Sequence, residues 1–205
     1  MIDKKKFNEN ILSLVLYVFC IVYQLVNKRI WSNPDNLLLR HNIIFCYIAV
    51  LAVILLFTDA VKVNKVNART VKNSNKIITI AFASVIIIVK FMLAFLVRTE
   101  TPAMISIQEF LVYVIMYFIS GFTEELMFDC LLYENLRKTR IPFVLCLAVV
   151  SLLFAFYHLE FKPLMFLGFF VFRLAMLLEY KNNPSLLLWG IFHALWNISN
   201  IITLL

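Results

Sequence analysis

Residues 105–133 read ISIQEFLVYVIMYFISGFTEELMFDCLLY, 29 residues with four acidic side chains and no basic one. An α-helix needs ~17–25 predominantly apolar residues to cross a ~30 Å hydrocarbon core, and this run exceeds that. Six further apolar runs lie on either side of it: Ile11–Val26, Asn42–Thr58, Ile77–Val97, Pro142–His158, Pro163–Tyr180 and Ser185–Leu205. The reading is an all-α, polytopic transmembrane bundle of about seven spans. Composition agrees, because 63% of the 205 residues are hydrophobic and only 15% are charged. A soluble domain of this size could not bury so much apolar surface. Disorder, a secreted disulfide scaffold and a soluble nucleic-acid binder are excluded at this point, and the bilayer is the first partner.

The formal net charge of +7 belongs to short basic clusters beside apolar runs. One set of faces collects Lys4, Lys5, Lys6, Lys62, Lys65, Arg69, Lys72, Lys76, Arg137, Lys138, Arg140 and Lys181, twelve in all. The opposite faces hold five, namely Lys28, Arg29, Arg40, Arg98 and Lys162. The positive-inside rule then puts the N-terminus in the cytoplasm, with the loop Asp59–Lys76 as the strongest vote. The first apolar run follows three lysines but lacks a small-x-small cleavage site, so it reads as a retained anchor. Pro142, Pro163 and Pro184 each open an apolar run, Asn183 is the expected N-cap of the last one, and Pro34 and Pro102 fall in connections. Cys20, Cys46, Cys130 and Cys146 sit in apolar stretches without Cys-x-x-Cys spacing and read as buried thiols.

Eight ionisable groups remain inside apolar runs: Lys90, Glu109, Glu124, Glu125, Asp129, His158, Arg173 and His193. A charge at mid-membrane costs ~2.5–3.5 kcal/mol on insertion scales, so each needs a partner or a function. For Lys90 and Glu109 a headgroup position or mutual pairing suffices. The other six concentrate in the C-terminal half. Glu125 and Asp129 share a face at i, i+4, while the adjacent Glu124 points about 100° away. Phe154 precedes His158 by one turn, and His193 precedes Asn197 by one turn. At ~1.5 Å per residue, Glu124 lies about 20 Å above Arg137, His158 about 25 Å above Ile141, and His193 and Asn197 about 12 and 18 Å above Ser185. Three helices thus bring a carboxylate, two imidazoles and an amide to one layer of the bilayer. That is an inventory for activating water and stabilising an oxyanion.

In order and spacing, Glu124-Glu125-Leu-Met-Phe-Asp129, Phe154-Ala-Phe-Tyr-His158 and His193-Ala-Leu-Trp-Asn197 resemble the motifs of the CPBP family, the CAAX-protease and bacteriocin-processing group also called Abi. The connection Leu178-Glu179-Tyr180 through Asn183-Pro184-Ser185-Leu186 resembles that family as well. The resemblance divides the chain into N-terminal helices with a basic cytoplasmic loop, 1–104, and an intramembrane-protease core, 105–205. It implies a multi-pass protein of the cell membrane, a bacterial plasma membrane by its size, acting on a membrane-embedded or membrane-associated peptide. In family terms Glu124 is the general base, His158 and His193 flank the water or the scissile carbonyl, Asn197 holds the oxyanion and Glu125 supports them. The resemblance admits a metal-free and a zinc-dependent version. In the second, Glu124, His158 and His193 hold Zn²⁺ with a fourth position open for water.

This chain departs from the family pattern at Asp129, where the family has arginine. Three carboxylates on adjacent turns repel one another in low dielectric, and Arg173 is an equally isolated cation. The expectation is that Asp129 or Glu125 pairs with Arg173, the neighbouring helix supplying the missing positive charge. Two functions follow: an active endopeptidase, or an impaired family member serving bacteriocin self-immunity or partner binding without catalysis.

Overall fold

The computed structural model describes residues 4–30, 37–58, 72–96, 106–159 and 161–202. Each of the seven apolar runs contributes a helix: α1 Lys4–Ile30, α2 Leu37–Phe57, α3 Asn73–Leu96, α4 Ile107–Glu125, α6 Phe143–Tyr157, α7 Pro163–Asn182 and α8 Leu186–Ile202. Helix α4 continues through a π-helical segment, Leu126–Tyr133, into the single turn α5, Glu134–Arg137. No strand occurs among the described residues. Lys62, Lys65, Arg69, Arg98, Pro34 and Pro102 lie outside the described residues.

By length and composition, three of these helices can cross a membrane: Asn73–Met92, Ile107–Arg137 and Pro163–Asn182. The apolar parts of the other four are shorter. Polarity is inverted relative to a soluble bundle. Leu164 is 81% exposed and Leu56 77%, whereas Arg173 and Asp129 are 0% exposed. Lipid satisfies the outward leucines, and only protein partners can satisfy the inward charges. This is a membrane protein.

Local chemistry sets the helix ends. Ser106 and Glu109 form a capping box at the start of α4: the Ser106 Oγ accepts from the Glu109 N–H at 3.2 Å, and Glu109 Oε2 accepts from the Ser106 N–H at 2.9 Å. Pro163 occupies the first turn of α7. At α8 the cap is Ser185, not Asn183, with Ser185 Oγ accepting from the Leu188 N–H at 3.3 Å. Asn183 instead ends α7, its N–H donating to the Glu179 carbonyl and its own carbonyl accepting from Trp189 Nε1 at 2.8 Å. Pro184 holds Asn183 in extended backbone, which ends α7 there. Leu159, at φ 51°, stops α6 immediately after His158.

Helix α4 packs most extensively on α8, and α6 on α7, while α2 packs on α4 and α3 on α8. Two glycines allow the α4–α8 approach. A Cβ on Gly121 would meet the Ala194 backbone nitrogen at 2.9 Å and the Gly190 carbonyl at 3.2 Å, and a Cβ on Gly190 would meet the Phe122 ring at 2.6 Å. Small residues at a helix contact let backbones close up, which is how membrane helices without a hydrophobic driving force hold together. That contact fixes Glu124 and Glu125 against α8. Below it, Phe128 meets Phe154 and Tyr157 edge-on at 5.1 and 5.4 Å, and Tyr17 ties α1 in by donating to the Leu153 carbonyl at 2.9 Å.

Candidate active site

The site is assembled where α4 passes into its π segment. A π turn adds a residue to the helix, and such turns concentrate at functional sites. Here the Glu134 N–H reaches back five residues to the Asp129 carbonyl. Glu125 and Asp129 emerge on a common side, facing Arg173 on α7. Arg173 Nη1 donates to Glu125 Oε1 at 2.7 Å, and Nη2 donates to Asp129 Oδ1. The expected ion pair is present, and it engages both carboxylates rather than one. The guanidinium also lies 5.0 Å from the Phe154 ring centroid and 5.3 Å from that of Phe128.

The second partner of Glu125 is His193 on α8. Its Nδ1 lies 2.7 Å from the same Glu125 Oε1. An oxygen that already accepts from a guanidinium is an acceptor, so Nδ1 carries the proton in this network. The opposite ring nitrogen, Nε2, then presents its lone pair to Glu124 Oε2 at 3.4 Å. That oxygen is buried and accepts no hydrogen bond among the described residues. The other oxygen, Oε1, accepts from the Tyr47 hydroxyl at 2.8 Å, and the Tyr157 hydroxyl donates to Tyr47 at 2.9 Å. Glu124 therefore has one oxygen held and one oxygen turned toward an imidazole.

His158 caps α6. Its Nδ1 donates to the Phe154 carbonyl at 2.9 Å, and its ring stacks on Phe169 with centroids 4.0 Å apart. Phe154 is a neighbour of both imidazoles, at 4.5 Å from the His158 ring and 5.9 Å from the His193 ring. Asn197 is half-buried one turn beyond His193. Of the two remaining intramembrane charges, Glu109 closes the α4 cap and Lys90 Nζ lies 4.9 Å from the Trp196 ring centroid. All four cysteines are buried and free of disulfides.

A zinc site on Glu124, His158 and His193 does not fit this geometry. Among the described residues no group of three or more His, Cys, Asp or Glu side chains is placed to hold a metal ion. His158 instead turns its Nδ1 to the Phe154 carbonyl and its ring face to Phe169.

Reading the sequence missed two site residues, Tyr47 and Tyr157. Tyr157 directly precedes the motif histidine. Tyr47 lies in an apolar run with no motif, and its one signal was a phenol that needs a partner when buried.

Residues 106–199 match the family model described as type II CAAX prenyl endopeptidase Rce1-like. The matched segment contains all three motifs. No curated protein and no solved structure matches the chain.

Proposed function

We propose that this chain is an active intramembrane endopeptidase of the type that its residues 106–199 match, using water activated by Glu124. One observation carries the reading. Glu124 Oε2 is buried, receives no donor among the described residues and faces a histidine nitrogen 3.4 Å away. A carboxylate oxygen kept this way inside a bilayer is costly unless it has a proton to take.

In the proposed reaction, a water at this edge attacks the scissile carbonyl carbon while Glu124 Oε2 takes its proton. The carbonyl oxygen becomes an oxyanion, held by the Asn197 amide and by His158 as an imidazolium, whose Nε2 then donates while Nδ1 stays on the Phe154 carbonyl. The C–N bond then breaks as the departing amine receives a proton from the Glu124–His193 pair. The products are a carboxylate and an amine. Glu125 acts on His193 rather than on substrate, fixing the ring through Nδ1, as in other catalytic pairs where a carboxylate orients the imidazole. No step passes through a metal.

The pairing of Asp129 with Arg173 favours an active enzyme over a non-catalytic immunity scaffold. The positive charge that the family carries within its first motif is supplied here from α7, beside the same glutamate. The substrate is a membrane-associated peptide. The family description makes a prenylated peptide with a CAAX sequence the first probe. The proposed topology, N-terminus cytoplasmic, puts the basic clusters on the side of anionic headgroups.

The test is proteolysis by the purified protein reconstituted in phospholipid vesicles, with the prenylated CAAX peptide in the same bilayer. The reading expects two product peptides by mass spectrometry, with one ¹⁸O incorporated from H₂¹⁸O into the new carboxyl end. An intact peptide after prolonged incubation contradicts it.

A further inference from the structure

Two phenols in series, one from each half of the chain, lead to Glu124. Tyr157, on α6, is buried and donates its hydroxyl to Tyr47 on α2 at 2.9 Å; Tyr47 in turn donates to Glu124 Oε1 at 2.8 Å. Thr123, the neighbour of Glu124, places its Oγ1 3.5 Å from the Tyr47 carbonyl, so α2 meets α4 at the same level. Tyr47 lies outside the segment 106–199 that matches the family. Tyr157 lies inside it, next to the motif histidine.

We infer that Tyr47 and Tyr157 are positioning residues of the reaction, a two-phenol strut that holds Glu124 by one oxygen and turns the other toward His193. The inference rests on the endopeptidase reading above. A glutamate side chain alone rotates freely about its terminal torsion, which is broad and two-fold. Either of its oxygens could then face His193, or neither could. One directed donor removes that freedom. Tyr47 needs its own orientation fixed, and Tyr157 supplies it by spending its proton on the Tyr47 oxygen, leaving the Tyr47 proton for Glu124. The order is set by the chemistry of the chain's end, because an ionised carboxylate accepts and does not donate. Loss of alignment of this kind, by about 1 Å, lowers turnover by as much as ~10²-fold.

The strut also gives α2 a role in the site, although α2 carries none of the three motifs. It makes the N-terminal half part of the machine rather than an anchor alone.

The experiment compares Tyr47→Phe, Tyr157→Phe, the double variant and Tyr17→Phe in the reconstituted protein, with the prenylated CAAX peptide as probe. Each substitution removes one hydroxyl and keeps the ring. Tyr47→Phe is expected to lower kcat roughly 10–100-fold with KM within about twofold, since ground-state binding is untouched. Tyr157→Phe is expected to lower kcat by about 3–10-fold, and to add nothing in the Tyr47→Phe background, because it acts only through Tyr47. Tyr17→Phe, whose hydroxyl bonds the Leu153 carbonyl at 2.9 Å and not Glu124, leaves kcat unchanged. Infrared spectra provide a readout independent of substrate: the carboxyl band lost in Glu124→Gln is shifted in Tyr47→Phe. Full kcat in Tyr47→Phe, effects of the two phenols that multiply independently, or an unshifted band overturns the inference. If the unaltered protein and Glu124→Gln process the probe equally, the endopeptidase reading fails instead, and the infrared band alone decides whether the strut exists.

Discussion

Arg173 and Asp129 form an ion pair in which both side chains are fully buried, on neighbouring helices within the apolar bundle. The same guanidinium holds Glu125 at 2.7 Å, so one cation on α7 serves two carboxylates on α4 and its π segment. Glu125 in turn holds His193, also at 2.7 Å. The ion pair thus reaches the imidazole through Glu125, and the candidate base Glu124 through Glu125 and His193. A departure from the family pattern at position 129 is answered by a residue 44 positions later in sequence.

Breaking that pair from either side is expected to be severe. Arg173→Leu leaves two buried carboxylates without their cation and should destabilise the protein by about 3–5 kcal/mol. Asp129→Arg alone sets two guanidinium groups together and should reduce the folded yield similarly. Asp129→Arg combined with Arg173→Leu restores a cation beside Glu125 from within the first motif and should recover most of the loss. Thermal unfolding in detergent measures all three. Equal midpoints for Asp129→Arg and the double variant would contradict the pairing account.

Gly121 is the second structural prediction. Ala at this position places a methyl 2.9 Å from the Ala194 backbone nitrogen, which no side-chain rotation relieves. Forcing α4 from α8 should cost about 1–3 kcal/mol. It also separates Glu124 and Glu125 from His193, so turnover should fall further than stability. Gly168, where an added Cβ meets nothing within 4 Å, is the matched control and should tolerate Ala in activity.

The two histidines make a third prediction. His193→Ala removes the imidazole that faces Glu124, and His158→Ala removes the proposed oxyanion donor. Each should lower kcat by about 10²–10⁴-fold, the usual span for a positioned acid–base group. Both variants should still insert and unfold cooperatively, because the Arg173–Asp129–Glu125 group remains. Rates for either variant within about twofold of the unaltered protein would remove that residue from the mechanism.

Much of this arrangement was legible in the sequence because the bilayer makes polarity informative. Glu124, Glu125, Asp129, Arg173 and His193 stand out in apolar runs, and a lone buried arginine must find a carboxylate. Their depths follow from the constant rise of a helix, which is why the contact between Glu124 and His193 could be anticipated. Other parts were not legible. Nothing local marks Leu126–Tyr133 as π-helical. Tyr47 reads as one more aromatic among apolar neighbours until α2 is placed against α4. Gly121 and Gly190 were visible as two of only three glycines, but their role depends on a helix pairing that spacing does not reveal. The three-ligand zinc arrangement does not form among the described residues, because where His158 lies relative to Glu124 and His193 depends on helix packing that spacing does not reveal.

The measurement closest to the central claim is the cleavage rate of the prenylated CAAX peptide by Glu124→Gln in phospholipid vesicles, beside the unaltered protein. Glutamine keeps the size of the side chain and an oxygen for the Tyr47 hydroxyl, but it cannot take a proton from water. The account predicts a kcat lower by at least about 10²-fold, with KM and the thermal midpoint nearly unchanged. A Glu124→Gln protein that cleaves the peptide at the rate of the unaltered chain would contradict it.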